Sequence, residues 1–261
     1  ILSKMEEEEC SFFEALHEAK KKGFAERNPT LDINGLDSAH KISILSYLAF
    51  GIFVRQKDIH VKGIDDISPL DIKYAKELGL VIKLLAIAKR INHHTLEIRV
   101  HPTLISNAHP LASVNGVFNA VYLKGELVGD QLFFGQGAGQ LPTASAILSD
   151  LIDLAKQGQA FNLRPTQVIK KIKKMDDVHS RYYIRFMVFD KPGVLSKISG
   201  ILAQHKISIA SVTQKEKGRA RVVPVVMLTH EAREKDMRLS LEKISKLAAV
   251  NKSVVIHREE I

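Results

Sequence analysis

Gly23-Phe24-Ala25-Glu26-Arg27-Asn28-Pro29-Thr30-Leu31-Asp32-Ile33-Asn34-Gly35-Leu36-Asp37-Ser38-Ala39-His40-Lys41 sets three carboxylates and a lysine around one turn, just before a strongly apolar helix. Asp37 and Lys41 are four apart, so a helix starting near Asp37 projects both from the same face. Glu26 and Asp32 fall in the preceding loop, whose path Pro29 and Gly35 restrict. A lysine beside carboxylates can bind an ammonium-bearing substrate and manage a proton at its far end. The same residues also fit a solvated ion pair in which Asp37 complements the helix dipole. Residue types leave both readings open, because site charges and structural ion pairs look alike in sequence.

Outward from this turn, the spacing predicts a helix from Ser3 to Lys22, with Phe12, Phe13, Leu16 and Ala19 as its apolar stripe and Gly23 closing it. Ile42, Leu45, Leu48 and Ala49 continue the Lys41 helix toward a core. Ser68-Pro69 is an N-cap and first-turn pair for a helix that ends at Gly79. Apolar, β-branched runs at Leu80–Ala88, Leu96–His101, Gly116–Leu123 and Leu127–Phe134 read as strands, the last two joined as a hairpin through Lys124-Gly125-Glu126. The expectation is one mixed sheet of about four strands with helices on one face, an α+β arrangement.

Composition sets limits. At 261 residues, two modest domains are expected. No apolar run is long enough to span a bilayer and no leader pattern is present, so neither membrane insertion nor secretion is supported. The lone Cys10 cannot form an intramolecular disulfide and fits a reducing cytoplasm; within the expected helix it reads as a buried, inert thiol. The net charge of +9 comes from short clusters such as Lys20–Lys22 and Lys170–Lys174, without Trp and without a nucleic-acid-binding motif. A nucleic-acid partner is therefore not expected, and no metal site is expected either.

The wording of the opening segment closely resembles the Gly-Tyr-Ala-Glu-x-Asp-Pro…Asp-[Val/Ile]-x-Gly-x-Asp-x-x-x-Lys signature of homoserine dehydrogenases. Asp71-Ile72, Ala75, Glu77-Leu78-Gly79 and Ile82-Lys83-Leu84-Leu85 follow that family's order, as do His109-Pro110-Leu111-Ala112, Gly116, Asn119-Ala120 and Gly135-x-Gly137-Ala138-Gly139-x-x-Pro142-Thr143-Ala144. Phe24 and Asn28 depart from it, where Tyr and Asp are usual. The resemblance covers residues 1 to about 155. It implies reversible hydride transfer between NAD(P)H and L-aspartate 4-semialdehyde, giving L-homoserine on the route to threonine, methionine and isoleucine. Lys41 is then expected to donate the proton, Asp37 to orient it, and Glu26 and Asp32, with Asp37, to hold the substrate. Gly23, Glu26, Gly137 and Gly139 are the cofactor-side positions it implies.

Gly135-Gln136-Gly137-Ala138-Gly139 is not itself a dinucleotide fingerprint: the spacing is wrong and no βαβ unit with a downstream acid follows. A tight turn alone would account for its glycines. The family's nucleotide-binding domain has no counterpart here. Because the sequence starts at Ile1, the expectation is a C-terminal portion of a longer protein that lacks the nucleotide half of the NAD(P) site and is inactive alone.

Gln157 to Ser180 is polar and lysine-rich, and reads as a connector with a short helix. Residues 181–257 then alternate as strand, helix, strand, strand, helix, strand, the ferredoxin-like βαββαβ order. Asp190-Lys191-Pro192-Gly193-Val194-Leu195, followed by Ile207-Ser208-Ile209, Val212 and Gln214, resembles the ACT family of amino-acid-sensing domains. That resemblance implies an effector site at Asp190, Gly193, Val194 and Leu195, with threonine as the usual effector of such dehydrogenases. The expected domains are 1–157 for catalysis, substrate binding and dimerisation, 158–180 as linker and 181–257 for regulation, in a homodimer or homotetramer. The alternative is a non-catalytic, oligomerising, amino-acid-sensing module.

Overall fold

The computed structural model describes residues 1–23, 29–157, 169–215 and 221–259, with the side chains of Asp32 and Gln157 excepted. The chain opens with α1 (Leu2–Glu7) and α2 (Phe12–Lys21). The single helix expected over Ser3–Lys22 is thus two. Glu9 takes a positive φ of 52°, and Ser11 restarts the helix through a reciprocal capping box with Glu14. The break turns Phe12 and Ala15 inward and leaves Phe13 outside, 79% exposed, against the expected stripe. Cys10 lies in the break, half-buried, and donates to the Lys4 carbonyl.

After α3 (Thr30–Ile33) comes α4 (Leu36–Phe50), which buries Ala39, Ile42, Ser43 and Ser46. Leu48 and Ala49 face outward, so the buried stripe is rotated toward small residues that let the helix lie close to the sheet. The strand β1 (His60–Val61) leads to α5 (Pro69–Glu77), capped by Ser68 with Pro69 in its first turn, as expected. The long antiparallel pair β2 (Leu80–Asn92) and β3 (Thr95–Ser106) follows.

The hairpin β4 (Phe118–Gly125) and β5 (Gly129–Gln136) forms a two-stranded sheet of its own and does not join β2–β3, correcting the single-sheet expectation. All of β5 and nearly all of the helix α6 (Gln140–Gln157) that follows it are exposed. The strands that extend the main sheet come from the second half of the chain.

There the order β7 (His179–Phe189), α7 (Val194–Gln204), β8 (Ile209–Gln214), β9 (Val222–Thr229), α8 (Glu234–Ile244), β11 (Val250–Arg258) is the expected βαββαβ, with a short extra strand β10 (Ala232–Arg233) beside β7. Its sheet runs β11-β7-β9-β8. The end of β11 pairs in parallel with β3 at His257↔Thr103 and Arg258↔Leu104, so both halves share one continuous sheet. Along the same edge of β3 lie β1 and, within the expected connector, β6 (Lys171–Ile172).

The sheet has a core on each face. Alternate residues of a strand point to opposite sides. Tyr183, Val226, Leu228, Val254 and Ile256 pack on Met5, Phe12, Ile72 and Tyr74 from the first-half helices. Tyr182, Ile184, Phe186 and Met227 pack on Ile198, Leu202, Met237 and Ile244 of α7 and α8. A buried ion pair crosses the first interface. Asp71, fully buried in α5, accepts from Arg185 of β7 at 2.6 and 2.8 Å and from Tyr183 Oη at 3.1 Å.

Candidate functional site

The turn between α3 and α4 is seated on the sheet by backbone. Gly35 adopts φ 80° at the start of α4, and a Cβ there would lie 3.2 Å from Val100 and 3.3 Å from Val61 side-chain carbons. An L-residue would meet both a left-handed backbone and that wall. From the other side, the Ile64 amide donates to the Ile33 carbonyl at 3.0 Å. The turn is held against β3 and against the segment that runs from β1 to Ile64.

At the head of α4, Lys41 Nζ lies 2.7 Å from Asp37 Oδ2, the i,i+4 geometry expected, with both side chains about half exposed. This open pair can accept a substrate from the solvent side while α4 is anchored beneath it, where Ser43 Oγ donates to the Val54 carbonyl at 2.5 Å. Asp32 sits in α3, but its side chain lies outside the described residues, as does all of Glu26. Gly23, with φ 73°, closes α2 on the approach to the segment that carries Glu26. The structure therefore brings Asp37 and Lys41 together and leaves the placement of the other two carboxylates as expectations.

The third group of residues lies at the turn from β5 into α6. The Asn119 side-chain amide packs on Gly137 where a Cβ would stand, the Gly137 amide donates to Val117 O at 3.1 Å, and Gly139 has φ 123°. The first amides of α6 then have no carbonyl within their own helix. Such a helix start suits an anion or a carboxamide.

In the second half, Asp190, Gly193, Val194 and Leu195 line a cleft of about 210 Å³ together with Gln214 and Val225. Gln214 Nε2 donates to Asp190 Oδ1 at 3.4 Å, tying the turn to the neighbouring strand β8. Gly193 opens α7 at φ 83°. Sequence reading quoted Gln214 as part of the motif but gave it no role; its position five residues after Ile209, at the end of the same strand, carried the signal.

Sequence reading also missed a buried polar row. Glu97, Arg99, His101 and Thr103 share one face of β3, the period-2 signal of a strand with a polar side. Arg99 pairs with both Glu97 and Glu259, Lys173 reaches Glu97 at 2.9 Å, and Lys89 reaches Glu259 at 2.6 Å. His101 stacks on His257 with ring centroids 3.9 Å apart. Burial, reinforced by the Arg99 guanidinium, lowers His101 to about 3. Burial, with His101 and Arg99 adding to it, holds His257 well below the ordinary imidazole range.

The sequence profile of the family described as homoserine dehydrogenase matches residues 1–152. The chain belongs to the homoserine dehydrogenase family. The profile of the ACT domain matches residues 182–249, so the homoserine dehydrogenase catalytic region is followed by an ACT domain. Among relatives, the homoserine dehydrogenase of Neisseria gonorrhoeae is 40% identical over 269 residues, covering 100% of this chain and 62% of its own length. That of Helicobacter pylori is 42% identical over 251 residues, covering 96% and 59%. The crystal structure of a homoserine dehydrogenase from Thiobacillus denitrificans superposes with a TM-score of 0.88 at 41% identity, over 99% of this chain and 61% of that one. The chain thus spans about three fifths of the length of the relatives it matches. Among the described residues no helix is long and apolar enough to cross a membrane, and no cluster of metal-ligating side chains is present.

Proposed function

We propose that this chain carries the substrate-binding, proton-transferring and regulatory parts of an NAD(P)-dependent homoserine dehydrogenase that interconverts L-homoserine and L-aspartate 4-semialdehyde. The observation that carries the proposal is the Asp37–Lys41 pair at the head of α4, on a turn fixed to the sheet, inside the segment that matches the family. The Lys41 ammonium hydrogen-bonds the aldehyde oxygen and gives up a proton as alkoxide character develops there. Asp37, 2.7 Å away, sets the direction of the Lys41 ammonium. Glu26 and Asp32 hold the substrate ammonium through charge-assisted hydrogen bonds. NAD(P), when bound, supplies or accepts the hydride. The Gly137–Gly139 turn, packed against Asn119 and opening α6, fits the nicotinamide end of such a cofactor, and Gly23 and Glu26 are the further cofactor-side residues of this reading. Its adenosine and pyrophosphate need a Gly-rich strand-to-helix unit of the kind expected in the remaining two fifths of the relatives' length.

Residues 1–157 form the catalytic part in this reading, 158–180 the connector and 181–257 the regulatory domain. The cleft at Asp190, Gly193, Val194 and Leu195 takes a small amino acid such as threonine. The exposed β4–β5 hairpin and α6, with Phe133, Phe134, Leu151 and Leu154 each more than half exposed, form the homo-oligomer contact. Steady-state kinetics of Lys41→Ala, in the longer protein that includes the nucleotide-binding portion, tests the assignment. Turnover should fall by about 10²–10⁴-fold with the fold retained. Near-parental kcat would reduce Lys41 and Asp37 to a surface ion pair.

A further inference from the structure

The residues that hold the acidic turn in place lie outside it, in the short segment Val61-Lys62-Gly63-Ile64. This segment is tied on three sides. The Lys62 amide donates to Val100 O of β3 at 2.8 Å, Lys62 Nζ donates to Val255 O of β11 at 3.0 Å, and the Ile64 amide donates to Ile33 O at 3.0 Å. Between the last two anchors stands Gly63. A Cβ on it would overlap the Ile33 carbonyl oxygen and lie 2.9 Å from Asn34 Cα, with Asp65 Oδ1 at 3.2 Å. Two of these three neighbours are backbone of the turn itself, and a backbone cannot rotate aside as a side chain can. The same segment is also met from within the turn, since Gly35 rests on Val61 and, beside it on β3, on Val100. The turn that ends α3 and starts α4 therefore lies directly on the Val61–Ile64 segment through two glycines, Gly35 in the turn and Gly63 in the segment.

We propose that Gly63 is a positioning residue for the substrate site. Its missing side chain lets the Val61–Ile64 segment press against Ile33 and Asn34, and so sets where Asp37 and Lys41, and the chain position of Asp32, stand relative to the sheet. The proposal rests on the reading of that turn as the substrate site. The far end of the same segment is held by β11 of the ACT domain through Lys62, so the turn is referenced to both halves of the shared sheet. Any side chain at position 63 forces the turn to retreat by roughly an ångström, a displacement that near a reacting centre costs on the order of 10²-fold.

The test is steady-state kinetics of Gly63→Ala in the longer protein, beside Lys41→Ala and with melting temperature recorded. The expected result is a fall on the order of 10²-fold in kcat/KM for homoserine, with KM for homoserine raised, while KM for NAD(P) stays near parental and the protein remains folded with a melting temperature lowered by several degrees at most. Unchanged KM for homoserine in folded Gly63→Ala, or a loss of kcat that follows only the fraction of folded protein, overturns the proposal. Should Gly63→Ala yield no folded protein, Lys62→Met decides: a rise of about threefold in KM for homoserine supports it, and parental KM overturns it. If Lys41→Ala keeps its turnover, the reading of the site has failed; if Lys41→Ala is inactive and Gly63→Ala is parental, only the present inference has.

Discussion

Replacing Asp71 by Ala should be among the most destabilising single changes in this chain. Asp71 is fully buried, and five contacts converge on its carboxylate: Arg185 at 2.6 and 2.8 Å, Tyr183 Oη at 3.1 Å, and the Ser68 amide and hydroxyl at 3.0 and 2.6 Å. Its removal leaves the Arg185 guanidinium, only 5% exposed, as an uncompensated buried charge. Breaking a buried pair this way costs about 3–5 kcal/mol, and losing the Asp71 half of the α5 capping box, while Ser68 still caps the residue-71 amide, adds up to about 1. At this chain length that is a fall in melting temperature of roughly 8–24 °C. Replacing both partners should cost less than replacing Asp71 alone, because Asp71→Ala/Arg185→Met buries no unpaired charge and leaves chiefly Tyr183 Oη without an acceptor. Urea unfolding of the parent, both single variants and the double variant gives the coupling energy directly. A cost below about 1 kcal/mol for Asp71→Ala, or additive single effects, would refute the claim that this pair fastens α5 to the ACT sheet.

Stability should fall between pH 7 and pH 5. His101 and His257 are held neutral by burial, with folded pKa values below the unfolded value of about 6.5, so the unfolded chain binds more protons in this window. Their contribution is complete above pH 6.5 and is lost as pH falls, by about 2 kcal/mol for His101 at pH 5 with His257 acting in the same direction; a urea midpoint that does not move between pH 7 and 5, or one that moves equally in His257→Asn, would count against it. Light scattering of the chain should show at least a dimer at micromolar concentration, since the apolar β4–β5 and α6 surface needs a cover, and a clean monomer would contradict this. Calorimetry should show an amino acid such as threonine binding to the chain, with Gln214→Ala weakening it, and no micromolar NADPH binding; tight NADPH binding would mean that the nucleotide site has been misread.

The parts of the site that were legible in the sequence are those that short-range chemistry fixes. The four-residue spacing of Asp37 and Lys41 sets a shared helical face wherever the helix goes, and the structure pairs them. The Ser68-Pro69 start, the strands β2 and β3, the β4–β5 hairpin and the βαββαβ order were readable for the same reason. Where reading failed, a local pattern had two solutions. Phe12 and Phe13 both fit a stripe, and only the restart at Ser11 decides which faces Met5 and Ile72. The polar row Glu97, Arg99, His101 and Thr103 lies in and just beyond a run read only as an apolar strand, and the partners that bury it, Glu259 and His257, arrive from the far end of the chain.

The sequence by itself determined the family of the chain, its two-part order and the identity of the charged residues at the head of α4, because signatures, caps and periodicities are written within a few residues. Only the tertiary structure decided that β11 runs beside β3 and makes one sheet of two domains, that Asp71 meets Arg185 across 114 residues, and that Gly63 presses on the turn carrying Asp37. Each of these depends on which distant surface excludes water from which. A hydrophobic or ionic residue specifies that it needs a partner when buried, but not where along the chain that partner lies.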